Sequence, residues 1–218
     1  MNKFLSQSAE YLPFLLSGVW LTIAVTVLSL TLATGLGLFW ALCRTSGIRA
    51  LATPVRLLVE FIRGIPILVI LFYIYFVMPE VGLDLTAFQA GVIGLALTYS
   101  CYIGETFRAG IEAVDRGQVE AAKSIGMRQG LMMRRVVLPQ AFRIVVPPYT
   151  NNIVMLLKDS SQVSVISVAE LTMQGKMLAS STFNNLTVFT LVALLYLCLT
   201  LPLNFVMRRV EVAMGKAR

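Results

Sequence analysis

The sequence predicts an all-α integral membrane protein with five transmembrane helices and one long cytoplasmic loop. The 218-residue chain is 57% hydrophobic and only 13% charged, and its mean hydropathy is +0.80. Soluble domains carry about 25% charged residues, so the composition argues against a water-soluble globule. The apolar residues form long uncharged runs, separated by segments rich in Lys and Arg. Histidine is absent, which excludes Ser-His-Asp catalysis and histidine-ligated zinc.

The uncharged runs predict where the spans lie. A helix needs about 20 residues to cross a hydrocarbon core about 30 Å thick, because it rises about 1.5 Å per residue. Residues 11–43 carry no charge, and this run is far too long for a secretory signal. The same criterion, applied along one domain covering residues 1–218, predicts spans at 15–43, 55–78, 85–105, 142–166 and 180–207.

The fourth span leaves two possibilities open, because Lys158 and Asp159 interrupt its apolar run. One is a single helix over residues 142–166 that carries both charges within or near the membrane. The other is a helix that ends at Lys158, whose amine then extends outward to the interface.

The distribution of basic residues predicts the orientation. Fifteen of the 18 Lys and Arg residues lie after the first span, after the third span and in the carboxyl-terminal tail. Only Lys3, Lys158 and Lys176 lie on the other side. Because cytoplasmic segments are enriched in Lys and Arg, the amino terminus is predicted outside and the carboxyl terminus in the cytosol. The net charge of +7 then reflects membrane orientation rather than nucleic-acid binding.

Residues 106–141 form a cytoplasmic segment that is too long and too regularly patterned for a simple connector. Residues 118–125 favour a helix, and Gly126 follows where a helix end is expected. A second helical stretch comes next, and Pro139 marks the start of the following span. Two such short helices need another surface to cover their apolar side. Composition alone fits an interfacial helix on anionic lipid as well as a docking element for another protein.

Motifs in this segment resemble the EAA loop of bacterial ABC-importer permeases. That loop contains EAA, three residues, Gly, nine residues and Ile-x-Leu-Pro. The corresponding residues are Glu120-Ala121-Ala122, Gly126 and Val136-Val137-Leu138-Pro139, with Val136 in place of Ile. Further stretches resemble the polar amino-acid subfamily: Arg63-Gly64-Ile65-Pro66, Tyr102-Ile103-Gly104-Glu105, Lys158-Asp159-Ser160-Ser161 and Val168-Ala169-Glu170-Leu171-Thr172.

The resemblance implies a type I ABC importer permease in a bacterial inner membrane, working by alternating access. The implied partners are a cytoplasmic ABC ATPase dimer, a second permease chain (identical or homologous), an extracytoplasmic amino-acid-binding protein and a polar amino acid. ATP and Mg²⁺ would bind to the ATPase, and this chain would hold no cofactor and no metal and would not be an enzyme. The residues implied to couple to the ATPase are Glu120, Ala121, Ala122, Gly126, Leu138 and Pro139.

Charged residues at membrane depth are the candidates for substrate contact. Lys158 and Asp159 are not expected to pair, because adjacent helical residues point about 100° apart. A carboxylate, an ammonium and a hydroxyl could together complement an α-amino acid. The residues predicted to bind substrate are Asp159, Glu105, Lys158, Ser160 and Tyr75.

Several alternatives accompany these predictions. Glu105 could instead pair with Arg108 on the same helix face, and Tyr75 could serve only in packing. The alternative function is an ATP-independent channel or secondary transporter. An intramembrane enzyme is disfavoured, because the sequence has no cluster of carboxylates or cysteines with metal-ligand spacing.

Overall fold

The structure, a computed structural model, describes residues 2–215 and shows helices throughout, with no strand among these residues. Lys216 and Arg218, which contribute to the predicted orientation, lie outside the described residues. The α-helices are α1 Asn2–Thr45, α2 Arg49–Arg63, α3 Ile67–Phe72, α4 Ala87–Glu112, α5 Arg116–Ser124, α6 Gln129–Met132, α7 Leu138–Asp159, α8 Leu171–Thr182 and α9 Asn185–Gly215. Two π-helical turns, Tyr73–Val77 and Met133–Val137, and two 3₁₀-helices, Met78–Val81 and Ser160–Ile166, extend or join them.

The most extensive helix–helix contact among the described residues joins α1 to α4. The buried positions of α1 recur every three or four residues, and many of them are small, such as Gly18, Ala33 and Ala41. At Gly37 and Gly104 the two backbones approach so closely that a Cβ on Gly37 would lie 3.0 Å from the Gly104 amide nitrogen. Small residues permit such contact between membrane helices. Some large apolar side chains of α1, such as Trp20 and Phe39, are exposed, whereas Leu15 and Val25 are buried.

Three helices are long and apolar enough to cross a membrane: Phe4–Thr45, Ala87–Glu112 and Asn185–Met214. A fourth candidate is the pair Arg49–Arg63 and Ile67–Val81, whose two halves are bent by 100°. The described residues therefore support three or four spans by length and composition, and the predicted count of five is not confirmed.

The segment predicted as one span at 55–78 is two helices. Helix α2 ends at Arg63, and the chain turns through Gly64, Ile65 and Pro66 before α3 begins. Pro66 lacks a backbone N–H and disfavours helical geometry at Ile65, so a continuous helix is interrupted here. The 100° bend follows from this break.

The fourth predicted segment matches neither possibility left open by the sequence. Helix α7 continues one residue past Lys158, to Asp159, and the chain then tightens into the 3₁₀-helix Ser160–Ile166. Helix α8 follows and ends at Thr182, and the next residue, Phe183, is a non-glycine residue with a φ of 54°. The first residues of the segment predicted at 180–207 therefore belong to α8, and the long helix α9 begins at Asn185.

Candidate functional site

Asp159 lies where α7 packs against the middle of α4. Its carboxylate accepts a hydrogen bond of 2.7 Å from the Tyr99 hydroxyl, and the side chain is half-buried. Tyr99 precedes Glu105 by six residues on α4, which is about 9 Å along a helix, and follows Ala87 by about 18 Å. The carboxylate thus sits between the two ends of α4 and has a neutral hydrogen-bond donor. No Lys or Arg lies within ion-pair distance of Asp159 among residues 2–215.

The other predicted residues of this region differ in their surroundings. Lys158 is exposed and has no hydrogen-bond or ion-pair partner in the described part of the chain. Ser160 is fully buried, and its hydroxyl donates to the Leu157 carbonyl oxygen of α7 at 2.8 Å, so its one O–H donor is already used within the chain. Tyr75 is half-buried and packs its ring against Phe76, with 4.9 Å between centroids.

An aromatic and basic cleft lies beside Asp159, and Tyr99 connects the two. The rings of Tyr99 and Tyr102 contact each other with 6.1 Å between centroids, and the Arg63 guanidinium lies 5.3 Å from the Tyr102 centroid. Arg63, Tyr102 and Gln162 line the same cleft, together with the backbone turn at residues 64–66. Tyr99 was not predicted from the sequence; its position one helical turn before Tyr102 was the only available signal.

Glu105 has a different environment from Asp159, although both were predicted to bind substrate. Its carboxylate forms an ion pair of 2.6 Å with Arg44 of α1 and another with Arg108, one turn further along α4. Arg108 also pairs with Glu112. Because two guanidinium groups already neutralise Glu105, the geometry favours the alternative in which it pairs with Arg108 on the same helix face.

A buried carboxylate that the sequence analysis did not select is Glu170. It is 0% exposed and caps α8, accepting hydrogen bonds of 2.9 Å from the backbone amides of Thr172 and Met173. The Tyr196 hydroxyl of α9 donates to it at 2.7 Å, and the Thr22 hydroxyl of α1 lies 3.5 Å away. Glu170 therefore joins three helices. Its isolation in an otherwise uncharged stretch was the signal that could have identified it.

The coupling segment, defined here as residues 113–137, projects beyond the end of the bundle that carries Arg44 and Glu105. Asp115 caps the start of helix α5, and its side chain accepts a hydrogen bond of 2.6 Å from the Gly117 amide. The predicted helix end is present at Gly126, which has a φ of +77°. A Cβ added to Gly126 would have no other atom within 4 Å. A left-handed backbone of this kind favours glycine.

The residues predicted to meet an ATPase are divided between two faces. Glu120, Ala121, Leu138 and Pro139 are exposed. Ala122, in contrast, is only 4% exposed. Its methyl group packs in a small apolar cluster that also contains Val114, Met132, Val137 and Ala141. Ala122 thus attaches α5 to the rest of the chain, while the Glu120 face is available to another molecule.

Comparison with known proteins identifies the family of this chain. Residues 33–216 match the family described as binding-protein-dependent transport system inner membrane component. The chain belongs to this family. It is therefore a membrane-embedded subunit of an ABC importer, a transport component rather than an enzyme, which confirms the resemblance drawn from the EAA-type motifs.

Curated relatives of this permease match over most of its length. A probable amino-acid ABC transporter permease, YckA of Bacillus subtilis (strain 168), is 38% identical over 86% of this chain and 83% of its own length. The probable amino-acid permease y4tG of Sinorhizobium fredii is 37% identical over 99% and 93%. The arginine transport permease ArtQ of Bacillus subtilis is 33% identical over 97% of both chains.

Solved structures share the fold of this permease. An amino acid ABC transporter crystallised with histidines has a TM-score of 0.91 and 38% identity, over 96% of this chain and 98% of its own. The inward-facing MetNI methionine transporter has a TM-score of 0.76 and covers 92% and 96%, and at 24% identity this likeness concerns the fold alone. The all-helical fold is thus that of type I ABC importer permeases, as predicted.

Proposed function

We propose that this permease translocates a polar amino acid across the bacterial inner membrane by alternating access, driven by a separate ATPase. The observation that carries the proposal is Asp159, a half-buried carboxylate with one neutral donor, Tyr99, and no ion-pair partner among the described residues. Such a carboxylate is available to the ammonium group of a substrate. The amino-acid transporter names of several relatives support the same class of substrate.

Lys158 completes the proposed site. Its exposed amine lies next to Asp159 in sequence and has no partner in the described part of the chain, so it can take the carboxylate of an α-amino acid. Tyr75 and the cleft beside Tyr99 form part of the wall of the proposed substrate site. The buried, internally bonded hydroxyl of Ser160 and the doubly paired carboxylate of Glu105 support positioning roles instead.

The proposed topology still has five crossings. Helices α1, α4 and α9 provide three, and the bent α2–α3 pair contributes one through its second half, Ile67–Val81. The fifth crossing is made of α7 and the 3₁₀-helix that follows it. This segment runs antiparallel to α4, because Val145 contacts Gly110 and Val163 contacts Gly91. Helix α8 continues the chain beyond this segment. The Lys and Arg distribution supports an amino terminus outside and a carboxyl terminus in the cytosol.

The proposed energy source is a cytoplasmic ABC ATPase dimer that holds ATP and Mg²⁺ and receives the exposed Glu120 face of α5. A second permease chain, identical or homologous, completes the path, and an extracytoplasmic binding protein delivers the substrate. The family description of a binding-protein-dependent system supports this set of partners.

Reconstitution of the permease with its ATPase and binding protein tests the function. We expect one or a few amino acids in a panel to stimulate ATP hydrolysis and to accumulate inside vesicles only with ATP. Accumulation without ATP would favour the channel or secondary transporter. Failure of every amino acid, with another solute transported instead, would contradict the proposed substrate.

The coupling role is tested at the left-handed glycine. We expect Gly126→Val to reduce ATPase assembly and uptake by at least tenfold, because a β-branched residue is strained at a φ of +77°. Gly130→Val is the matched control. A Cβ added to Gly130 would also have no other atom within 4 Å, but Gly130 lies in helix α6 and its backbone is not left-handed. Equal effects of the two variants would contradict the coupling assignment.

A further inference from the structure

Helix α2 has three distinct faces. Successive residues of a helix are rotated by about 100°, so Val55, Val59 and Ile62 lie on one stripe of α2. All three are buried against the main core. A second stripe is polar and contains Arg49, Thr53, Arg56, Glu60 and Arg63. The third stripe is apolar and exposed: Leu51, Leu57, Leu58 and Phe61 are 41%, 60%, 43% and 68% accessible. Packing inside the chain explains the first stripe and Arg63, whose guanidinium lies over the Tyr102 ring, and leaves the rest of the second stripe and the third stripe unexplained.

The position of α2 places the two unexplained stripes at a membrane surface. It begins four residues after α1 ends, next to the charged layer formed by Arg44 and Glu105. It is bent by 100° from the α3 segment, which runs along α4 through the contact of Leu71 with Gly94. A helix perpendicular to a membrane-crossing neighbour lies in the membrane plane. An apolar stripe beside a basic one is the pattern of interfacial helices.

The charges on the polar stripe select an anionic occupant. Three arginines and one glutamate leave a net charge of about +2 on this stripe. The adjoining cleft adds two arginines and two glutamates, whose charges cancel one another: Arg44, Arg108, Glu105 and Glu112. Arg49 and Arg63 have no carboxylate partner within the described residues. Arg56 pairs with Glu60 at 2.8 Å, but this pair is 65% and 50% exposed, so water and counterions weaken it. The arginines remain accessible to phosphate groups in the plane of the headgroups.

We propose that α2 is an interfacial helix that binds anionic phospholipid headgroups on the coupling-segment side of the membrane, through Arg49 and Arg56. Leu57 and Phe61 enter the acyl region, and the arginines meet the phosphates above them. The attraction of each basic residue to an anionic surface is worth about 1 kcal/mol. Two such residues give a preference of several-fold to about thirtyfold for anionic over zwitterionic lipid. This lipid site is independent of the proposed substrate.

Photo-cross-linking of the complete permease–ATPase complex in vesicles tests the site. Headgroup-photoactivatable phosphatidylglycerol or phosphatidylcholine is incorporated at equal mole fraction, and adducts on residues 49–63 are quantified by peptide mass spectrometry. We expect at least fivefold more phosphatidylglycerol adducts. Arg49→Gln/Arg56→Gln should reduce them to the phosphatidylcholine level. The charge-matched control Arg208→Gln/Arg209→Gln, at the end of α9, should leave the α2 adducts unchanged.

A charge-preserving variant and two contrary outcomes complete the test. Arg49→Lys/Arg56→Lys retains the charges and should keep the preference, which separates charge from misfolding. Equal labelling by both lipids would overturn the anionic selectivity. Absence of lipid adducts on α2, with cross-links from Phe61 to another permease chain instead, would show that a second copy covers this face and would also overturn the proposal.

Discussion

Asp159 and Glu105 are acidic residues on neighbouring helices, and the sequence predicted both of them to contact the substrate. The structure separates them. Glu105 lies between Arg44 and Arg108, whereas Asp159 accepts a hydrogen bond from the Tyr99 hydroxyl and has no ion-pair partner among the described residues. A carboxylate between two guanidinium groups holds helices α1 and α4 together. A carboxylate with one neutral donor can still accept a cationic ligand. The partners of the two acids, rather than their depth, therefore give Glu105 a structural role and support the proposed substrate role of Asp159.

The largest expected effect comes from removing the available charge. We expect Asp159→Asn to lower amino-acid uptake by about a hundredfold, since a hydrogen bond to a charged group contributes about 1.5–3 kcal/mol. Thermal unfolding in detergent should change little. Asp84→Asn, at an exposed loop position, makes the same chemical change and should leave uptake near that of the wild type. Normal uptake by Asp159→Asn would remove the distinction between the two acids.

The second effect is on stability. We expect Glu105→Gln to lower the free energy of unfolding by about 1–3 kcal/mol, because Arg44, whose side chain is 12% exposed, loses its carboxylate partner. The KM for substrate should stay the same in protein that remains folded. A changed KM with an unchanged unfolding midpoint would reverse the roles assigned to Glu105 and Asp159.

Glu60→Gln is the control for this variant. It also removes one carboxylate from an arginine, but both partners of the Arg56–Glu60 pair are at least half exposed. Exposed pairs contribute about 0–1 kcal/mol, so we expect a shift in the unfolding midpoint clearly smaller than that of Glu105→Gln.

The smallest effect is expected from removing the Tyr99 hydroxyl, the neutral donor to Asp159. We expect Tyr99→Phe to change uptake by threefold to tenfold, since one neutral hydrogen bond contributes about 0.5–1.5 kcal/mol. Tyr102→Phe is the control, because its ring contacts Tyr99 and Arg63 while its hydroxyl has no partner in the described part of the chain. Identical uptake by both variants would show that the Tyr99 hydroxyl does not orient Asp159.

Local patterns predicted the long helices and the coupling turn well. Uncharged runs longer than 20 residues specify helices such as α1 and α9, because the hydrocarbon core admits little else. Gly126 was recognisable because a left-handed helix end favours glycine. These features depend on residues close together in the chain.

The features that could not be predicted depend on residues far apart in the chain. Nothing local shows that Tyr99 meets Asp159 or that Arg44 meets Glu105, because those pairs form only after α1, α4 and α7 pack. The break between α8 and α9 at Phe183 was missed because it uses a positive φ without glycine. The bend at residues 64–66 had a proline signal, but the apolar run across it resembled one span.

Glu170 has a consequence for how the chain is made. A ribosome releases the amino terminus first, so Thr22 of α1 is inserted early, whereas Tyr196 of α9 emerges after Glu170 itself. Until α9 arrives, Glu170 has the Thr172 and Met173 amides as donors but lacks the Tyr196 hydroxyl, and an incompletely paired buried carboxylate is costly. We therefore expect helix α8 to gain its full stability only once α9 has packed against it.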